Sequence, residues 1–147
     1  VDGVVAEVGF VAAQAILEAA LAEAERIQVP MAVAVADGGG HLLAFARMDR
    51  CVIMAAETAP AKARTAVYFR RPTHETVERS RTHPTVYGSF VALSAAPIVL
   101  SMGGIPLWDE HDALVGGVGA AGGTGEQDIE VAAAGERRWR ELRGIAG

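Results

Sequence analysis

The chain has a single cysteine, a single lysine and a deficit of positive charge. A lone Cys51 excludes a disulfide within the chain and gives no sign of an oxidising compartment. The apolar stretch from Val8 to Leu21 is broken by Gln14 and Glu18, so it does not read as a membrane-spanning helix. It also lacks a basic leader and an Ala-x-Ala site, so it does not read as a signal peptide. These absences lead to the expectation of a cytoplasmic protein with no membrane partner. Thirteen Lys and Arg against eighteen Asp and Glu give a formal net charge of −5. That balance argues against nucleic acid as a partner, because phosphate binding needs a cationic surface. No serine elbow, P-loop or zinc pattern is present.

What the chain does have is enough apolar material for a core. At 147 residues, 51% hydrophobic and 21% charged, it reads as one folded domain, 1–147, that needs no staples. Val8, Val11, Ala12, Ala15, Ile16, Ala19, Ala20 and Ile27 keep a helical period, which predicts an amphipathic helix from Val5 to Ile27. Pro30 turns the chain toward a strand at residues 31–36. Asp37-Gly38-Gly39-Gly40 then supplies a turn into a returning strand, 41–48, where Arg47 closes a largely apolar face. A helix follows to Arg71, starting near Thr58 or kinked at Pro60. Thr73 reads as the cap of a short polar helix through Arg81, and residues 87–95 as a further helix or ordered loop. Strands are expected at 98–101, 105–108 and 113–120. Thr124 with Gln127 forms a capping box that opens a last helix, with Ile129, Ala132 and Trp139 facing inward. This order predicts an α+β fold, an antiparallel sheet of about five strands flanked by helices.

Lys62 is the residue most out of place, one lysine beside twelve arginines, set among alanines in Ala61-Lys62-Ala63-Arg64-Thr65-Ala66. Thr58, Lys62, Thr65 and Phe69 share one helix face. Small neighbours let a backbone or a ligand approach, so Lys62 reads either as a surface lysine or as a cation at the edge of a pocket. Arg47 closes a strand nearby in the chain and can hold a carboxylate bidentately, while Asp49 can move a proton. An Arg–Asp pair locking hairpin to helix is the plainer alternative.

Gly117-Val118-Gly119-Ala120-Ala121-Gly122 matches the dinucleotide pattern literally. Its strand belongs to a hairpin and no βαβ unit surrounds it, so glycines admitting a close backbone crossing explain it better. The turn Gly122-Gly123-Thr124-Gly125 leads into a helix, and its amides suit an acidic ligand group. Glu126 and Asp128 complement the dipole of that helix. His74 and Glu78 stand four apart and could reach one metal ion, but no third ligand is evident and the metal is unknown. His41 and His111 read as exposed loop residues, either of which could serve as an axial ligand or proton carrier.

Together, Asp37-Gly38-Gly39-Gly40-His41-Leu42, Arg47-Met48-Asp49, the 61–66 segment, Gly103-Gly104-Ile105-Pro106, Val115-Gly116-Gly117-Val118-Gly119 and Gly125-Glu126-Gln127-Asp128 resemble, in order, the GlcG/HbpS family. That family includes the C-terminal domain of PduO-type cobalamin adenosyltransferases, and the similarity runs from about Val5 to Leu142. The resemblance implies a profilin-like fold, homo-oligomers such as dimers or octamers, and haem or related tetrapyrrole binding in some members. A PduO-type member uses a histidine on its first helix as haem ligand; here that helix holds no histidine and has Gln14 as its uncharged polar side chain. A threonine near the haem is implied by the HbpS type, with Thr65 and Thr124 as the candidates.

Two functions are consistent with these residues. One is a small-ligand-binding module that holds haem or another planar cofactor between subunits, its acidic groups met by Arg47, Lys62 or the Gly122–Gly125 turn. The other is a cofactor-independent isomerase or lyase for a small organic acid, with Lys62 and Arg47 holding an oxyanion and Asp49 or Glu126 moving protons.

Overall fold

The computed structural model describes residues 7–146. In chain order the elements are α1 (Phe10–Arg26), β1 (Ala32–Asp37), β2 (Leu42–Arg47), α2 (Met54–Phe69), α3 (Thr73–Thr82), α4 (Pro84–Leu93), β3 (Gly104–Trp108), β4 (Leu114–Ala121) and α5 (Gly125–Arg143). The strands form one antiparallel sheet of four, ordered β2-β1-β4-β3. This is the α+β architecture expected, with β2 and β3 at the edges.

Alternation along β1 divides the interior. Val33 and Val35 join Ile16, Val118, Val131 and Trp139 on the face covered by α1 and α5. Ala32, Ala34 and Ala36 meet Ala55, Ala59 and Ala63 of α2 on the other. That second face is built almost wholly from small residues, so α2 lies very close to the sheet. A Cβ at Gly117 would stand 2.7 Å from the Ala63 carbonyl oxygen, and one at Gly119 would stand 2.6 Å from the Ala63 amide nitrogen. The G-x-G stripe is thus a seat for a helix, and β4 pairs antiparallel with both neighbours, which leaves no βαβ unit.

Several boundaries differ from expectation for local reasons. Val5, the expected start of the first helix, lies outside the described residues. Residues 7–9 are not helical, and the Val8 amide instead donates to Val115 O at 3.5 Å. α2 begins at Met54 and carries Pro60 within it, so the helix starts a turn earlier than expected. Thr73 does not cap α3; its hydroxyl accepts from the Gly104 amide at 2.9 Å and ties α3 to β3. The expected strand at 98–101 is not formed. That segment is held by α2 side chains instead, with the Val99 amide donating to Thr65 Oγ1 at 3.0 Å and Arg64 donating to the Pro97 carbonyl. The Thr124–Gln127 capping box is present as read.

Candidate functional site

Lys62 sits midway along α2 on the side that meets the sheet, and only 3% of it is exposed. Its Nζ donates to Asp128 Oδ2 at 2.8 Å and to Ala120 O at 3.0 Å. Asp128 lies in the first turn of α5 and is itself buried. Its other oxygen, Oδ1, accepts from the Gly123 amide at 2.9 Å. One carboxylate therefore ties three elements together: α2 through the ammonium, the Gly122–Gly125 turn through an amide, and α5 through its own backbone. Gly103, at φ 113°, closes the arrangement, since a Cβ there would stand 2.7 Å from Asp128 Cβ and 3.3 Å from Lys62 Nζ. Burial pushes the Asp128 carboxyl above its usual range. The Lys62 hydrogen bond and charge, and then the Gly123 amide, pull the other way without overcoming it.

The structure brings together some of the residues singled out and separates others. Lys62 points inward, but into a closed ion pair rather than the edge of an open pocket. Gly123 donates its amide to the same pair, Gly122 lies against Pro30 O and Cys51 Sγ, and the Thr124 hydroxyl accepts from the Gln127 amide as a helix cap. Gly125 packs against Met102. Thr65 is fully buried and structural, its hydroxyl donating to Ala61 O at 2.6 Å. Arg47, Asp49 and Glu126 are exposed. Arg47 ends the edge strand β2, in register with Ala32, while Lys62 is bonded to β4, and no hydrogen bond or ion pair joins the two among the described residues. His41 is engaged by Asp37, with Nδ1 3.2 Å from Oδ1. Among the described residues no three His, Cys, Asp or Glu side chains gather as a metal site, and no helix is long and apolar enough to cross a membrane.

Three participants were not legible beforehand. Asp128 was read only as a dipole partner. Cys51 is half-buried, and a Cβ on Gly122 would come within 3.2 Å of its Sγ. Burial raises its thiol pKa, the Arg47 charge opposes this, and Asp128 adds to it, so the thiol lies between the two charged centres. The third is the corner between α3 and α4. No residue of α4 is buried. Its Tyr87 and Phe90 form an aromatic triangle with Phe69 of α2, with ring centroids 5.6 to 5.8 Å apart.

A four-stranded antiparallel sheet with helices on both faces, one of them seated on a glycine stripe and bolted by an internal Lys–Asp pair, defines an α+β fold without the βαβ unit of a dinucleotide-binding fold. The family model described as "Haem degrading protein HbpS-like" matches residues 10–137, and the chain belongs to that family. Protein GlcG of Escherichia coli K12 is 41% identical over 113 residues, covering 74% of this chain and 77% of GlcG. Corrinoid adenosyltransferase PduO of Citrobacter freundii is 35% identical over 114 residues, covering 78% of this chain. The match spans only 33% of that longer relative. Among solved structures, a PduOC:heme complex superposes with a TM-score of 0.82 at 31% identity, covering 90% of this chain and 95% of the other.

Proposed function

We propose that this chain is a small-ligand-binding module whose ligand is haem or a related tetrapyrrole. The observation that carries this reading is the likeness to the PduOC:heme complex over nearly the full length of both chains. The donor set supports it. α1 holds no histidine, but an imidazole, a guanidinium and three aromatic rings gather where α3 meets α4. Self-association belongs to the same reading, supported by the contiguous exposed apolar side chains Val52, Ile53 and Met54. The geometry gives no comparable support to the isomerase or lyase alternative. Asp49 and Glu126 face solvent, and the Lys62 ammonium is already committed to Asp128.

The test is a haemin titration of the purified chain followed in the Soret region. A saturable, stoichiometric shift is expected. A linear rise in absorbance without saturation, like that of haemin on an unrelated acidic protein, refutes the reading.

A further inference from the structure

We infer that the tetrapyrrole sits in the hollow at the α3–α4 corner, with His83 Nε2 as axial ligand to its iron and Arg79 placed for one of its acidic groups. This rests on the ligand class proposed above and locates its site.

The starting point is how one imidazole is held. Thr82 Oγ1 lies 3.1 Å from Arg79 O. His83 Nδ1 lies 2.9 Å from the same hydroxyl oxygen, and that contact orients the ring. No hydrogen bond among the described residues engages Nε2. An imidazole held through one nitrogen, with the other free of partners, is placed as metal-ligating histidines are.

The surroundings suit a flat, largely apolar, acidic ligand. Arg79, Thr82, His83, Val86, Tyr87 and Phe90 line a hollow of about 360 Å³. A second hollow of about 270 Å³ adjoins it across Phe90 and runs to Leu93 and Ile98. Aromatic faces offer stacking area to a macrocycle. Arg79 makes no salt bridge among the described residues, so its charge is free to meet a carboxylate.

The other histidines are worse placed. His41 is held by Asp37. His111 stands in a turn between Asp109, Glu110 and Asp112, where an acidic ligand is repelled. His74 has its Nδ1 buried without a partner and lines neither hollow.

The experiment titrates haemin into the full chain and into His83→Ala, Thr82→Val, Val86→Trp, His41→Ala and His111→Ala, with Soret and electron paramagnetic resonance spectra recorded for each. In the wild-type chain a histidine-ligated spectrum is expected. His83→Ala should lose it, and added imidazole should restore it. Thr82→Val, which removes the oxygen orienting the ring, should weaken binding about tenfold or more. Val86→Trp should block the hollow without changing the donor, while His41→Ala and His111→Ala should match wild type. Circular dichroism checks that each variant is folded.

A wild-type chain that never binds haem overturns both the site and the ligand class. Normal binding with an unchanged spectrum in His83→Ala overturns the site and leaves the ligand class standing. So does a His83→Ala or Val86→Trp effect confined to oligomeric state, since the hollow would then be covered by a second copy of the chain.

Discussion

The seam where α2 meets α5 and the corner where α3 meets α4 both carry basic groups, yet they treat them in opposite ways. At the seam, the ammonium of Lys62 is removed from water and answered by Asp128 and Ala120 O. At the corner, Arg79 and His83 stay exposed over aromatic rings. The buried polar side-chain atoms without a partner among the described residues, His74 Nδ1 and Thr76 Oγ1, both lie on α3 rather than near the seam. A fully answered buried charge holds elements in register, whereas an unanswered group beside apolar surface is free to meet a ligand. The contrast therefore separates a fastening from a site.

The most direct way to break the contrast is to remove the ammonium. Lys62→Met should leave Asp128 buried without its partner and cost about 3–5 kcal/mol in urea unfolding. Lys62→Met combined with Asp128→Leu should recover much of that loss, because an apolar pair needs no compensation. A single variant as stable as wild type contradicts the fastening role. Haemin binding, if it belongs to the corner, should survive in whatever folded fraction remains.

The glycine seat comes next. Gly119→Ala would drive a methyl group into the Ala59 carbonyl and the Ala63 amide, both backbone atoms that cannot step aside alone. A loss of about 1–3 kcal/mol is expected. An unchanged urea midpoint would mean that α2 can rise from the sheet without cost, and would remove the reason for the glycines.

How much of this was legible beforehand follows from what each residue depends on. Lys62 announced itself through scarcity and alanine neighbours, and its inward aim was one of the two readings that pattern left open. Its partner did not, because Asp128 is 66 positions away and the pairing exists only once the first turn of α5 reaches the middle of α2. The glycine stripe was readable because a close crossing leaves a local mark whichever helix supplies it. Strand alternation gave the face that Arg47 takes, but not that β2 would be the edge strand, with β1 between it and the strand that Lys62 bonds. The extra strand at 98–101 was read from its apolar run. Thr65 and Arg64 hold that segment by side-chain bonds that no periodicity encodes.

Acid distinguishes the seam from the turns with a smaller effect. The Asp109 carboxyl lies below its usual 3.8, held down by the Ala113 amide against some burial and helped by the His111 amide. In Asp37, burial raises the value, but the His41 and Gly39 amides outweigh it and the net shift is also downward. For these two the unfolded chain binds protons first. Their stabilisation is complete above 3.8 and is lost as pH falls through the lower folded values. Asp128 has the opposite sign. With its value raised, its contribution is greatest below 3.8 and declines as pH rises through the folded value. Asp109→Asn should therefore flatten the loss of stability between about pH 5 and pH 3, whereas a variant lacking both members of the Lys62–Asp128 pair should steepen it. Parallel pH profiles for the two would mean that the pair and the turns titrate alike.

The smallest expected change reverses the sign of the glycine experiment. Gly88 lies within α4, and a Cβ there meets nothing within 4 Å. Gly88→Ala should therefore stabilise by about 0.5–1 kcal/mol through helix propensity alone. The gain appears in global unfolding only if α4 melts together with the sheet. If α4 frays independently, the urea midpoint stays put and the amides of residues 85–93 exchange with solvent at a rate set by local opening. Either result fixes how firmly the exposed wall of the corner is attached. A wall that opens alone would make the hollow beside His83 a transient shape that a bound ligand orders, and one that melts with the core would make it a standing feature of the fold.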